Sequence, residues 1–213
     1  KIITTGGEGG MVTTNHSKIW SKMWSLKDHG KNLKAVNRRS QKFSFTWLHD
    51  SFGTNQRMTE MQATIGRIQL KKINQWNLRR VNNFNSIINA ASKCSNLRVP
   101  KLKCDKCPGN CNNKNGCVHA AYKCYVFVNG NKTLRDKMIK KINENGVPCY
   151  SGTCSEVYLE KAFNNSCLRP NERLPIAKEL GETSLMFLCH PTLTKKEIKK
   201  TCDVICQTAR LFL

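Results

Sequence analysis

The sequence opens with the stretch that decides the fold: Lys1-Ile2-Ile3-Thr4-Thr5-Gly6-Gly7-Glu8-Gly9-Gly10-Met11-Val12-Thr13-Thr14-Asn15. Read residue by residue, it predicts a glycine-rich turn and then a short strand over residues 9–14. Asn15 offers a side-chain cap to a helix whose apolar members are Ile19, Met23, Trp24 and Leu26. Asp28-His29-Gly30 closes that helix, with Gly30 suited to the left-handed C′ position. By residue type alone Lys1 is a solvated surface lysine. Gly6-Gly7-Glu8-Gly9-Gly10 is by itself a plain turn, though one that lets backbone come close to a ligand or a neighbour.

Working outward, the segment from Lys31 to Gln56 shows no single period. Phe43, Phe45, Trp47, Leu48 and Phe52 nevertheless make it too apolar for a free linker, which predicts an excursion that meets a partner or a functional site. Thr59 with Gln62 has the capping-box pattern. Met61, Ile65, Ile68, Ile73, Trp76, Phe84, Ile87, Ile88 and Ala91 then recur at helical spacing, predicting one long helix or two abutting ones over residues 59–92. Past Pro100 lies a cysteine-rich loop, and the run from Ala120 to Val128 reads as a strand. Leu134, Met138 and Ile142 form a helical stripe ended by Gly146, and Val147 to Tyr150 is a short strand. A helix from Leu174 to Leu180 stops at Gly181, and Ser184 to Leu188 is a strand. Thr194 and Glu197 cap a last helix carrying Ile198, Cys202, Ile205 and Ala209. Strands alternating with helices indicate an α/β fold, divided here into residues 1–92 and a smaller α/β domain over residues 93–213.

A formal charge of +22 on 213 residues suits polyanions, so a basic nucleic-acid-binding protein is the alternative of another class. The charges are scattered, however. Lys27, Lys31, Lys34, Arg38, Arg39, Lys42, Lys71, Lys72, Arg79 and Arg80 alternate with asparagine and apolar residues and read as solvated faces. The aromatic residues lack a recognisable nucleic-acid module, which argues against that partner. No apolar stretch reaches the roughly 18 residues of a membrane span, and the start lacks a signal peptide, so a reducing cytoplasm is expected for the twelve cysteines. The sequence also reads as one whose natural N-terminus is missing. Cys104, Cys107, Cys111 and Cys117 sit close together in a polar loop, where four thiolates would suit a tetrahedral zinc. Their spacing does not match a paired-knuckle pattern, so a loop of reduced cysteines is the other reading. His29, His49, His119 and His190 have no spacing that defines a catalytic pair.

Three stretches together resemble the pyridoxal-phosphate (PLP) dependent sugar aminotransferases of the DegT/StrS type, which are fold-type-I enzymes. The first is the opening run from Lys1 to Asn15. The second is Gly53-Thr54-Asn55-Gln56-Arg57-Met58-Thr59-Glu60, continuing through Gln62-Ala63-Thr64-Ile65-Gly66 to Gln69-Leu70. The third runs from Gly152-Thr153-Cys154-Ser155-Glu156-Val157-Tyr158-Leu159-Glu160 through Leu174-Pro175 to Phe187-Leu188-Cys189-His190-Pro191-Thr192-Leu193. The resemblance implies the C-terminal part of such an enzyme, comprising the end of the large domain and the small domain. It also implies that Lys1 forms the Schiff base with PLP and moves the proton, and that Asn55 reaches across a homodimer interface to the cofactor phosphate of the other subunit. Arg57, Thr153 and Cys154 are the implied substrate contacts, with a phosphate contact or an interface ion pair as the other readings of Arg57; glutamate is the implied donor and a nucleotide-linked keto-sugar the acceptor, in amino-sugar and surface polysaccharide synthesis. Dehydratases on the same scaffold usually carry His in place of this lysine. In the family the aspartate facing the pyridine nitrogen, the ring-stacking aromatic and most phosphate ligands precede the lysine. The cysteine cluster departs from the family pattern, and so does the absence of a histidine near Thr153 and Cys154.

Overall fold

Helix α1 (Ser17–Lys27) starts one residue later than its sequence suggests. In this computed structural model, which describes residues 2–38, 47–100 and 119–213, His16 stands at the N-cap and makes no side-chain cap. The turn before it is held instead by Thr14, whose Oγ1 accepts from the His16 N–H at 3.1 Å. At the other end the Gly30 N–H returns to the Ser25 carbonyl at 2.8 Å, the six-residue closure of a Schellman turn. His29 (φ 61) therefore takes the C′ position and Gly30 (φ 84) the next, not the C′ position expected of Gly30. The predicted strand over residues 9–14 does not form. These residues are irregular and largely exposed, and none of the four strands below pairs with them.

The chain divides into two compact units, Lys1–Ile73 and Asn74–Leu213. The boundary between these units falls inside the long helix α3 (Glu60–Ala91). The first unit holds α1, the one-turn helix α2 (Leu33–Asn37) capped by Asn32 Oδ1 on the Ala35 N–H (3.1 Å), and the start of α3. The capping box of Thr59 and Gln62 forms as expected: Gln62 Oε1 accepts from the Thr59 N–H at 3.1 Å and Thr59 Oγ1 from the Gln62 N–H at 3.3 Å. Gln62 Nε2 donates in addition to the Glu8 carbonyl at 2.9 Å, pinning the glycine-rich turn to α3. Among its described residues this unit buries no large apolar side chain.

The second unit is built on a four-stranded antiparallel sheet in the order β1-β2-β4-β3. Its strands are β1 (Leu97–Arg98), β2 (Cys124–Val128), β3 (Cys149–Tyr150) and β4 (Ser184–Phe187), and the helices are α4 (Lys132–Glu144), α5 (Pro175–Thr183) and α6 (Lys195–Leu211). In the centre, Cys124 pairs with Phe187 and Val126 with Leu185. β4 is buried at every residue, while β2 alternates buried with half-buried positions. Met138 and Ile142 of α4, Ile198, Ile205 and Ala209 of α6 and Phe84, Ile87 and Ala91 of α3 close the core over Val126, Leu185 and Phe187. Each of the larger side chains contributes about 1.5–3 kcal/mol on leaving water. The helical stripe of α4 and the α6 capping box match their sequence patterns, with Glu197 Oε2 on the Thr194 N–H at 2.8 Å. Gly181 does not stop α5, which continues to Thr183. Glycine is required there for room: a Cβ would lie 2.0 Å from Ser155 Oγ.

Candidate active site

Asn55 is placed by a backbone crossing that two glycines permit. The Thr54 N–H donates to the Leu26 carbonyl at 2.8 Å, the His29 N–H to the Thr54 carbonyl at 3.2 Å and the Gln56 N–H to the Lys27 carbonyl at 3.0 Å. Asn55 thus forms an isolated antiparallel bridge with Asp28 at the end of α1. A Cβ on Gly53 would stand 2.4 Å from the Gly30 nitrogen, and one on Gly30 1.7 Å from the Ser51 carbonyl oxygen, so neither position admits a side chain.

On this crossing the side chains form a relay. The buried Asp28 carboxylate meets Lys31 Nζ at 3.2 Å and Arg57 Nε at 3.6 Å. The same Nε donates to Asn55 Oδ1 at 3.2 Å. Burial alone would raise the Asp28 carboxyl, but its hydrogen bond to Lys31 and the charges of Arg57, Lys31 and Lys27 outweigh that and lower it. Arg57 thus engages Oδ1 and leaves the two N–H donors of Nδ2 outside the relay. Among the described residues Nδ2 has no partner.

In the second unit an open hollow of about 350 Å³ is lined by the loop from Ser151 to Glu156, by Leu159 and Glu160, and by Gly181 of α5. Thr153 and Cys154 stand at its exposed tip. Behind them Glu156 is 7% exposed. Its Oε1 accepts from Tyr158 Oη at 2.6 Å and from Arg173 Nε at 2.9 Å, and its Oε2 accepts from Arg173 Nη2. These two donors, Arg173 first, hold the Glu156 carboxyl down to about 2, while burial and then the Glu156 bond raise the Tyr158 phenol.

The structure therefore brings Asn55 together with Arg57, and Thr153 together with Cys154. Lys1 and the four clustered cysteines, Cys104, Cys107, Cys111 and Cys117, lie outside the described residues. Asp28 and the Glu156–Arg173 pair were not singled out from sequence. Arg173 stands in a polar stretch with no periodicity, and nothing local signals its distant carboxylate.

Residues 1–206 match the DegT/DnrJ/EryC1/StrS aminotransferase family. The chain belongs to that family. An aminotransferase from Psychrobacter cryohalolentis is 51% identical in sequence and superposes with a TM-score of 0.83, over 96% of this chain and 52% of its own. GDP-perosamine synthase of Escherichia coli O157:H7 is 26% identical over 96% of this chain and 48% of its own length. The dTDP-3-amino-3,4,6-trideoxy-alpha-D-glucose transaminase of Streptomyces venezuelae is 35% identical over 35% of this chain and 16% of its own. The chain spans about half the length of the first two. DegT/DnrJ/EryC1/StrS aminotransferases are PLP-dependent enzymes of fold type I and are generally dimeric. The nucleic-acid-binding alternative is not favoured by these relatives. Among the described residues no helix is long and apolar enough to cross a membrane.

Proposed function

We propose that this protein transfers an amino group from glutamate to a nucleotide-linked keto-sugar, with PLP as cofactor, as a cytoplasmic homodimer whose active sites draw residues from both subunits. The observation that carries the reading is the exposed Asn55 amide, whose Oδ1 is held by Arg57 and whose two N–H donors have no partner among the described residues. That donor set fits a phosphate group, which accepts hydrogen bonds and favours nearby cations such as Arg57. When bound, PLP supplies the electron sink for the carbanion left when the amino-bearing carbon loses its proton. Asn55 Nδ2 would donate to the phosphate of the cofactor seated in the partner subunit. The Lys1 amine would hold the cofactor covalently and carry the proton to and from the substrate carbon. Thr153 and Cys154 would face the sugar. The large apolar side chains that the first unit leaves exposed, among them Phe52 at 100% and Met61 at 77%, suit a surface covered by a second subunit.

The names of the relatives support a nucleotide-linked sugar as acceptor, and surface polysaccharide or glycoside assembly as the use of its amino product. In the whole protein Lys1→Ala should abolish both the borohydride-reducible cofactor adduct and turnover. Normal turnover by this variant, with the adduct formed at another lysine, would overturn the reading. The loop of Cys104, Cys107, Cys111 and Cys117 supports two readings, a structural zinc or a run of reduced thiols. Elemental analysis of protein purified without chelator separates them, at about one zinc per four thiolates or none.

A further inference from the structure

The loop that lines the hollow is stitched down on both sides of its tip. On the near side Ser184 Oγ donates to the Ser151 carbonyl at 2.6 Å. Gly152 (φ 97) lies against the Tyr125 ring, where a Cβ would come within 2.5 Å of Cε1, and the Thr153 N–H donates to Tyr125 Oη at 3.4 Å. On the far side Glu156 takes both arms of the Arg173 guanidinium, while Tyr158, itself bound to Glu156, accepts the Leu174 N–H at 2.9 Å just ahead of α5. Arg173 also meets Glu182 at 3.5 Å. Between these anchors the Thr153 hydroxyl and the Cys154 thiol make no hydrogen bond among the described residues.

An ion pair whose guanidinium is 44% exposed to water contributes little to stability, because solvent screens the attraction and ordering the side chains offsets part of it. What a bidentate guanidinium–carboxylate pair does supply is a fixed geometry. Resting on the transaminase reading above, we infer that Glu156, Tyr158 and Arg173 are the positioning residues of the acceptor subsite, holding the 151–156 loop so that Thr153 and Cys154 meet the nucleotide-linked sugar. Arg173 has a second duty. It neutralises a carboxylate that lines the hollow and would otherwise repel a diphosphate-bearing substrate.

The two halves of transamination separate this role from a merely structural one. In the whole protein each half is followed by cofactor absorbance, with L-glutamate as one probe. GDP-perosamine or dTDP-3-amino-3,4,6-trideoxy-alpha-D-glucose, whichever the wild type deaminates faster, is the other. Glu156→Gln should raise the amino-sugar concentration giving half-maximal rate by about tenfold. Arg173→Gln should raise it further, since it leaves the carboxylate uncompensated, and the double variant should fall back toward Glu156→Gln. The L-glutamate half should stay within about twofold throughout. A parallel fall of both halves, or an unchanged amino-sugar dependence, would overturn the inference while leaving the transaminase reading intact. A wild type that L-glutamate does not convert overturns that reading and the inference with it. One that L-glutamate converts but neither amino sugar does overturns the inference, which needs such a sugar to meet Thr153 and Cys154, and leaves the PLP-dependent transamination standing.

Discussion

At the scale of single residues, the amide of Asn55 and the carboxylate of Glu156 lend themselves to direct tests. Asn55→Ala removes the two unpartnered amide donors and should weaken cofactor retention, and Asn55→Asp should weaken it more by bringing a carboxylate to a phosphate. Equilibrium dialysis of PLP against each variant reads the order. Mixing Asn55→Ala with Lys1→Ala should recover part of the activity, because one of the two sites in a hybrid dimer then holds both native residues. No recovery in verified heterodimers would remove the composite site. Glu156 has a consequence for acid stability. Its carboxyl titrates at about 2 in the folded protein against an ordinary 4.5, so its stabilising contribution is complete above 4.5 and is lost as pH falls toward 2. Acid unfolding followed by circular dichroism should therefore be shallower over that interval in Glu156→Gln than in the wild type.

At the scale of elements, the two capping boxes were legible because each is written in four adjacent residues, Thr59 to Gln62 and Thr194 to Glu197. Thr194→Ala should cost about 1 kcal/mol in denaturant unfolding. The α3 and α6 apolar stripes and the α4 stripe were legible for the same local reason. What sequence missed was decided by partners distant along the chain. Residues 9–14 have strand-like composition but, among the described residues, no strand pairs with them, and Gly181 reads as a stop until Ser155 is seen pressed against it. Of the candidate site, the quoted motifs led to Asn55 and Arg57 as neighbours in sequence, whereas Asp28 joins them only through the crossing at Gly30 and Gly53. Gly30→Ala should destabilise the first unit by more than about 2 kcal/mol, since it adds left-handed strain to a clash with the Ser51 carbonyl. Broadened amide spectra confined to the segment around residues 26–55 would report it.

At the scale of the whole molecule, the charge of +22 calls for a control on the discarded alternative. Retention of a random DNA duplex should fall by orders of magnitude between about 50 and about 200 mM salt, with no salt-resistant fraction. The sheet order β1-β2-β4-β3 carries a further consequence, in time. Its central ladder pairs Cys124 with Phe187, so α4, β3, the 151–156 loop and α5 all belong to the stretch of chain that this pairing closes into a loop. Local turns such as α4 can form within about a microsecond, but closing so long a loop is entropically uphill until the final contacts arrive. The centre of this sheet should consequently be among the last structure to appear during refolding. The ion pair of Glu156 and Arg173, which lies within the span that must close, would then shorten the search by holding part of that span in its final shape.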